Sequence, residues 1–296
     1  MAINAALIFN PKAGSWHSEQ RVESIRQNLE GSGYSVQLLP TARPGHGTEI
    51  ARQAVATGAE VVFAYGGDGT IREVGAGLIG SAVALAPIPG GTANVVARAL
   101  GLPLNPIKAA AVFANATTIE TDVGMCGDEP FLMLTSAGLD AHVMGSLHAG
   151  MKRRLGRVAV GWAALQSLSS YKYPLIRLLA DGQPYETTFA AICNLPYYAG
   201  SWKLAPGASM TSGSLELVLF HGRTRLQTLA FARDLGLGRH TKRDDVEIMR
   251  VDQVELLGPS DLPVQLDGDA LGFELPITLT VGPQRLKLLA PANTVP

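Results

Sequence analysis

The segment Gly66-Gly67-Asp68-Gly69-Thr70 has the composition of a loop that binds phosphate groups. It follows the apolar run Val61 to Ala64 and precedes the helical pattern Ile71 to Leu78, so it is predicted to connect a strand to a helix. Glycines let backbone N–H groups approach an anion closely, and a helix N-terminus adds positive partial charge. Taken alone, the segment is equally compatible with a tight turn capped by Asp68 or Thr70. It is neither a Walker A loop nor the dinucleotide GxGxxG motif.

Three other predicted strand ends carry residues suited to the same kind of ligand. The segment Asn10-Pro11-Lys12-Ala13-Gly14 follows the first strand, Thr41 closes the second, and Pro89-Gly90-Gly91-Thr92-Ala93-Asn94 follows the fourth and opens a helix at Val95. In a parallel sheet with helical crossovers the carboxyl ends of the strands share one edge. The four strand ends together therefore predict a site for one phosphate-bearing ligand.

Two carboxylates occur near the end of the chain in Asp267-Gly268-Asp269. Asp-Gly is also a common two-residue hairpin turn, which is the simpler interpretation of this segment alone. A general base must lie within hydrogen-bond reach of the proton that it removes, so geometry decides whether either carboxylate is one.

The elements that position these residues are of two kinds. Through about residue 125, the apolar runs Ala5 to Phe9, Val36 to Leu39, Val61 to Ala64 and Val83 to Pro87 alternate with helical patterns, which predicts parallel strands joined by helices. One of these patterns, Ser18 to Leu29, places Val22, Ile25 and Leu29 on one face. The N-terminal part is therefore predicted to be an α/β domain with a doubly wound parallel sheet.

The second half has a different pattern. It contains β-type runs bounded by Gly, Pro or Asp-Gly signals, and two helical patterns, roughly Lys152 to Ser170 and Leu226 to Leu235. The predicted β runs are Pro174 to Ala180, Thr187 to Asn194, Leu215 to Phe220, Val251 to Leu257, Pro263 to Leu266, Ile277 to Val281 and Arg285 to Leu289. A mainly antiparallel second domain is expected over residues 129–286, after a first domain over 1–128 to which 287–296 is a candidate addition.

Composition restricts the classes of function. The chain has 296 residues, 47% of them hydrophobic, and its 24 Lys and Arg residues nearly balance 25 Asp and Glu residues. No overall field favours nucleic acid, so no nucleic-acid partner is expected. The two cysteines, Cys126 and Cys193, lie in no metal-ligand or redox spacing, which suits the reducing cytoplasm. No apolar run is long enough to span a bilayer.

The motifs in combination resemble the catalytic domain of diacylglycerol kinases, which is shared with sphingosine and ceramide kinases. The likeness rests first on Asn-Pro-x-x-Gly, Gly-Gly-Asp-Gly-Thr and Pro-x-Gly-Thr-x-Asn. It continues, in the order of the soluble bacterial members, through Gly138-Leu139-Asp140-Ala141, Lys152 to Tyr171, Leu204-Ala205-Pro206 and Asp267-Gly268-Asp269. The resemblance implies a first domain of the NAD kinase and phosphofructokinase type, a second domain that is a β-sandwich, and an active site in the cleft between them.

The resemblance also implies roles for individual residues. ATP and Mg²⁺ would be the cofactors, with Asp68 and Asp267 as candidate metal ligands. The matching family motif for Asp267-Gly268-Asp269 ends in Glu and supplies the group proposed to accept the proton of the substrate hydroxyl; here Asp269 is slightly favoured as the base and Asp267 for positioning. The residues expected to bind the nucleotide are Asn10, Thr41, Gly66, Gly67, Asp68, Gly69, Thr70, Ile71, Arg72, Glu73, Gly91, Thr92 and Asn94.

The chain departs from the family pattern at Thr211-Ser212-Gly213-Ser214-Leu215-Glu216. Many relatives carry an acidic loop there that holds a structural Mg²⁺ in some members. Hydroxyl and carbonyl groups alone bind Mg²⁺ poorly. This secondary metal site is therefore predicted to be absent or much weakened.

The predicted substrate is a lipid such as diacylglycerol, reached by transient peripheral contact at the inner face of the membrane. A basic amphipathic helix beginning at Lys152-Arg153-Arg154 would provide that contact, with Arg239, Lys242 and Arg243 as additions. The alternative for this helix is a core-facing helix with a solvated end. The oligomeric state is open, a homodimer included.

Two other functions are compatible with the sequence. One is a kinase of a soluble hydroxyl compound such as NAD, because the NAD kinase family shares Gly-Gly-Asp-Gly-Thr. The other is a catalytically inactive nucleotide-binding regulatory protein, which the altered 211–216 loop and the Asp at position 269 would suit.

Overall fold

A computed structural model describes residues 2–11, 19–146, 171–258 and 262–292. Two units are present: the first comprises Met1–Asp122 and Pro283–Pro296, and the second Val123–Gly282. The divisions predicted from the sequence were at 128 and 286. The difference arises because neighbouring strands on either side of residue 123 pair in different sheets, and because the turn at 282 ends a strand of the second unit.

The first unit alternates strands and helices around one six-stranded sheet. Its elements are β1 (Ile3–Phe9), α1 (Glu19–Gly31), β2 (Tyr34–Pro40), α2 (His46–Ala56), β3 (Val61–Gly66), α3 (Asp68–Leu78), β4 (Ala84–Pro89), α4 (Val95–Ala99), α5 (Pro106–Val112), a 3₁₀ turn (Phe113–Asn115), β5 (Ala116–Thr121) and the last strand of the chain, β20 (Leu286–Pro291). The strand order is β2-β1-β3-β4-β20-β5.

Strands β1 to β4 are parallel, as the alternation of strands and helices predicted. Strand β20 joins the sheet parallel to β4, and β5 pairs with it antiparallel. The chain changes direction across the sheet between β1 and β3, and ligands bind at such switch points in open α/β sheets. The residues that follow these two strands are Asn10 and Gly67.

Strands β3 and β4 are buried along their whole length, and helices cover the sheet. Helix α1 buries Val22, Ile25 and Leu29, the face that its sequence pattern predicted. Phe63 on β3 is fully buried and makes edge-to-face contact with Tyr34, at 5.0 Å between ring centroids. This packed layer gives the loops at the ends of the strands a rigid base.

The second unit is a β-sandwich. Its elements are β6 (Gly124–Cys126), β7 (Glu129–Phe131), β8 (Leu134–Gly138), α6 (Leu139–Ser146), β9 (Ile176–Ala180), β10 (Gln183–Thr187), β11 (Phe189–Cys193), β12 (Tyr197–Tyr198), β13 (Trp202–Lys203), β14 (Leu215–Phe220), α7 (Arg225–Gly236), a 3₁₀ turn (His240–Lys242), β15 (Val246–Val251), β16 (Gln253–Gly258), β17 (Val264–Leu266), β18 (Asp269–Leu271) and β19 (Ile277–Val281).

Two six-stranded sheets form the sandwich, ordered β10-β9-β16-β19-β6-β7 and β15-β14-β11-β8-β17-β18. All their pairings are antiparallel. Side chains from both sheets, among them Leu178, Ile192 and Leu217, form one core. The outer face of the second sheet is covered by α7 through Phe231 and Leu235. The predicted combination of an α/β domain and a β-sandwich is confirmed.

Several sequence predictions were incomplete or wrong. The run Val251 to Leu257 contains most of β16 and only the last residue of β15, with a turn at Asp252 between the two strands; β15 begins at Val246 and was not predicted. Strand β20 lies in the first unit; residues 287–296 were a candidate addition to the first domain, although the run Arg285 to Leu289 was grouped with the β runs of the second half. The predicted helix at 152–170 and residues 12–18 lie outside the described residues. Among the residues that are described, no helix is both long and apolar enough to cross a membrane.

Candidate active site

Two glycine-containing loops of the first unit meet backbone to backbone. One runs from Gly66 into α3, and the other runs from Pro89 to α4. The N–H of Gly90 donates to the Gly66 carbonyl at 2.8 Å. A Cβ on Gly91 would lie 2.5 Å from the Cα of Gly67, so the two chains could not approach this closely with a side chain at that position.

Asp68 ties the second loop to the first. Its Oδ1 accepts a hydrogen bond of 2.7 Å from the N–H of Val95, the first residue of α4. Asn94 occupies the N-cap position of that helix. Its backbone is left-handed, and its side chain accepts no hydrogen bond from the N–H groups of the helix. The carboxylate of Asp68 thus caps a helix from a different loop, which satisfies one of its open N–H groups.

The Asn94 side chain fixes the shape of the second loop instead. Its Oδ1 accepts from the Gly91 N–H at 2.8 Å, and its Nδ2 donates to the Gly91 carbonyl at 3.0 Å. Thr92, between them in the chain, is exposed and available to a ligand. The conformation of this loop is therefore fixed by hydrogen bonds within the loop.

The electrostatics of Asp68 reflect two opposed effects. Burial raises the pKa of its carboxyl group, and hydrogen bonds from the backbone N–H groups of Val95, Val96 and Asn94 lower it in part. Backbone N–H groups at a helix start favour a negative charge. The carboxylate of Asp68 therefore lies at the junction of the two loops.

Two residues predicted to contact a nucleotide have other roles. Ile71 is fully buried, and its N–H donates to the Gly67 carbonyl. Glu73 accepts from the N–H groups of Gly45 and Gly47, at 2.9 and 3.1 Å, and so caps the start of α2. The side chain of Ile71 is thus used in the core and that of Glu73 in capping α2, and their contact with a nucleotide stays a prediction.

The other predicted residues of the first unit lie at the ends of its strands. Asn10 follows β1 and is half-buried. Thr41 follows β2, is buried, and its N–H donates to the Phe9 carbonyl at 2.8 Å. Gly69, Thr70 and Arg72 lie in the first turns of α3 and are half-buried. The part of the Asn10-to-Gly14 motif beyond Pro11 is outside the described residues.

In the second unit, Asp267 and Gly268 form the two-residue turn between β17 and β18. Both have positive φ, 51° and 87°, as a type I′ hairpin turn requires. The Asp267 carboxylate is 6% exposed and accepts backbone N–H groups of Leu132, Met133 and Leu134 at 2.8, 2.9 and 3.0 Å. The hairpin interpretation is confirmed, and this carboxylate also anchors the start of β8.

A chain of buried polar groups connects this turn to Asp140. The Gly268 N–H donates to Gln265 Oε1 at 2.6 Å, Gln265 Nε2 donates to Ser136 Oγ at 2.6 Å, and Ser136 Oγ donates to Asp140 Oδ2 at 2.5 Å. Tyr198 is also hydrogen-bonded to Asp140. In the sequence, Asp140 stands out only as part of the Gly138-to-Ala141 motif. Ser136 and Gln265 give no signal there, because they meet through the pairing of β8 with β17.

The 211–216 loop is closed by its own hydroxyl groups. Ser212 Oγ donates to the carbonyl of Ser209 at 2.9 Å, and Ser209 and Thr211 are joined at 3.0 Å. Glu216 accepts from the Gly207 N–H at 2.9 Å.

Within the described residues, no group of three or more His, Cys, Asp or Glu side chains could hold a metal ion. The donors near Asp68 would suit a Mg²⁺ ion that is held mainly by phosphates and water, since such sites need only one or two carboxylates.

The environment of the Asp140 carboxyl group should make the free energy of unfolding depend on pH. Burial raises the pKa of its carboxyl group to about 6 from 3.8, with hydrogen bonds opposing the shift. Between pH 4 and 6 the unfolded carboxyl ionises while the folded one holds its proton, so the folded state loses stability as pH rises, by roughly 2–3 kcal/mol. Urea unfolding across this range should show that loss in the wild type and a flatter profile in Asp140→Asn. Equal slopes would contradict the assignment.

Comparison with known proteins agrees with this architecture. Residues 4–126 match the model of the diacylglycerol kinase catalytic domain, and residues 134–290 match that of the YegS C-terminal NAD kinase beta sandwich-like domain. A Chromohalobacter salexigens protein named "Probable lipid kinase YegS-like" is 33% identical over 89% of this chain and 86% of its own. Bacillus subtilis diacylglycerol kinase is 26% identical over 91% and 90%.

The fold is also found in a solved structure. A crystal structure of a Bacillus anthracis strain Sterne protein is similar with a TM-score of 0.83 at 23% identity, and it covers 99% of this chain and 96% of its own. At this identity the likeness concerns the fold. The two matched domain models and the 33% identical relative establish the family: the chain belongs to the diacylglycerol kinase-like lipid kinases.

Proposed function

We propose that the protein transfers the γ-phosphoryl group of ATP to the hydroxyl group of a lipid such as diacylglycerol. The observation that carries this proposal is the junction of the Gly66–Thr70 and Pro89–Asn94 loops, fixed by Asp68 and Asn94. Phosphoryl transfer depends on positioning and charge neutralisation more than on covalent chemistry. Two rigid loops at the ends of neighbouring parallel strands are suited to that task.

The nucleotide would be held by the first unit. We propose that backbone N–H groups of Gly67 to Thr70 and of Thr92 contact the triphosphate, because α3 begins without a side-chain cap. Asn10, Thr41 and Arg72 remain candidates for the rest of the nucleotide. The side chains of Ile71 and Glu73 are not included in this proposed site, because Ile71 is buried in the core and Glu73 caps α2.

Mg²⁺ is the proposed metal, and Asp68 is its proposed protein ligand. The ion would neutralise charge on the transferred phosphoryl group. Asp267 was predicted as a second ligand, but both of its oxygens accept backbone N–H groups. Its proposed role is therefore to position the turn that carries Asp269.

Asp269 is the proposed general base. It begins β18 and is half-buried, and its backbone is fixed by pairing with Leu266. In the proposed reaction the hydroxyl oxygen bonds to the γ-phosphorus and the bond from that phosphorus to the β–γ bridging oxygen breaks. The hydroxyl proton moves to Asp269, and ADP leaves.

The substrate class is tested by incubating the protein with radiolabelled ATP and with diacylglycerol, sphingoid bases, a total lipid extract or NAD. The expected result is labelled lipid and unlabelled NAD. Labelling of NAD alone would favour the NAD kinase-like alternative, and ATP binding without any labelled product would favour an inactive regulatory protein.

Paired variants of Asp68 separate its capping role from its chemical role. Asp68→Asn keeps an oxygen to accept the Val95 N–H but removes the charge, whereas Asp68→Ala removes both. We expect the free energy of unfolding of Asp68→Asn to lie within about 1 kcal/mol of the wild-type value, and its turnover to be lost. Asp68→Ala should lose roughly 1 kcal/mol more of unfolding free energy. If Asp68→Asn retains wild-type turnover, capping alone explains the residue.

The two acids of the turn are expected to behave differently. Asp267→Asn keeps one oxygen for the N–H groups of Met133 and Leu134, but it turns an NH2 group toward the Leu132 N–H and removes the negative charge, so it should cost about 2–4 kcal/mol of unfolding free energy. The free energy of unfolding of Asp269→Asn should lie within about 1 kcal/mol of the wild-type value. Its kcat should fall by at least about 100-fold. Urea unfolding and single-substrate kinetics measure both quantities. An active Asp269→Asn protein would exclude this residue as the base.

A further inference from the structure

Helix α7 presents apolar side chains to solvent on its outer face. Leu226 is 79% exposed and Leu229 48%, and Leu237, at the C-terminal end of the helix, is 59% exposed. At 100° per residue these three leucines fall within one arc of the helix, together with Arg225 and Arg233. Isolated exposed leucines are ordinary, but a group on one helix face marks a contact surface.

Trp202 extends this face beyond the helix. It lies on β13, is 37% exposed, and its indole Nε1 is 3.8 Å from the position of a Cβ on Gly236. Eight large hydrophobic side chains are exposed among the described residues, and Trp202, Leu226, Leu229 and Leu237 are four of them. The other four are on other elements of the chain: Ile3, Leu38, Leu104 and Leu257.

The opposite face of α7 is firmly packed, so the leucines cannot turn inward. Phe231 stacks on Phe220, with ring centroids 4.5 Å apart. A capping box between Thr224 and Gln227 fixes the start of the helix. Near its end, the buried Asp234 pairs with Arg243 at 2.7 Å. The exposed apolar face is thus a stable feature of the folded unit.

Exposed basic residues outnumber exposed acidic ones around this face; Asp244, two residues after Lys242, is an exposed acid. Arg225 and Arg239 are exposed, as is Lys242 in the following 3₁₀ turn. The exposed positions of α7, a fully described helix, include no acidic residue, because its one acid, Asp234, is buried. Arg243 was predicted to contribute to a membrane surface, but it is paired with Asp234 and Asp245 and is structural.

We propose that this face, made of Trp202, Leu226, Leu229 and Leu237 and bordered by Arg225, Arg239 and Lys242, docks on an anionic lipid bilayer. Leucine and tryptophan side chains insert at the boundary of headgroups and acyl chains, and basic residues attract anionic headgroups. The positive charge favours this occupant over a second copy of the chain, whose same face would be equally positive. The proposal rests on the proposed function, since a lipid kinase must reach a substrate in a bilayer.

Vesicle flotation without nucleotide tests the docking face. The probes are phosphatidylcholine vesicles and vesicles in which about a third of the lipid is phosphatidylglycerol. We expect the wild type to bind the anionic vesicles, and the double variant Leu226→Glu/Leu229→Glu to bind at least about tenfold more weakly. The matched control is Leu104→Glu, at an exposed leucine of the first unit, which should change binding less than about twofold.

A second variant tests the charge. Arg239→Glu/Lys242→Glu should reduce binding to anionic vesicles and leave binding to phosphatidylcholine unchanged. Unaltered flotation of the leucine variant would overturn the proposal. So would light scattering that gives a dimer for the wild type and a monomer for that variant, because a second copy would then cover the face. A wild type that docks through this face but phosphorylates no lipid would overturn the proposed function and support the docking face.

Discussion

The hydrogen bond from the Val95 N–H to Asp68 is the contact on which the arrangement of the candidate site depends. It joins a loop at the end of β3 to a helix that follows β4, two strands that are neighbours in the sheet. Without it, α4 would begin with an unsatisfied N–H group, and the loop locked by Asn94 would have one fewer attachment to its neighbour. A single carboxylate thus serves both the structure of the loops and the charge of the site.

Much of the first unit could be predicted from the sequence, because its signals are local. Glycine-rich turns between an apolar run and a helical pattern identify strand ends, and the sheet brings strand ends together whatever the detail of the helices. Side-chain direction within the motif could not be predicted in this way. Glu73 and Ile71 follow Asp68 closely in sequence, but the helical rotation directs Ile71 into the core and Glu73 toward α2.

The parts that were predicted poorly depend on contacts between distant residues. Strand β20 enters the first sheet beside β4 and β5, and no local pattern distinguishes it from a strand of the second unit. The hydrogen bonds of Asp267 depend on Leu132 to Leu134, more than 130 residues away along the chain, whose N–H groups occupy its oxygens. The Asp140 chain likewise forms only when β8 and β17 pair.

The central claim is that the two coupled glycine loops hold the triphosphate of ATP. A crystal structure of the protein with Mg²⁺ and a non-hydrolysable ATP analogue tests it most directly. The expected result is phosphate oxygens within hydrogen-bond distance of the N–H groups of Gly67 to Thr70 and of Thr92, with the bond between Asp68 and Val95 retained. A triphosphate bound elsewhere, with these N–H groups facing only solvent, would contradict the claim.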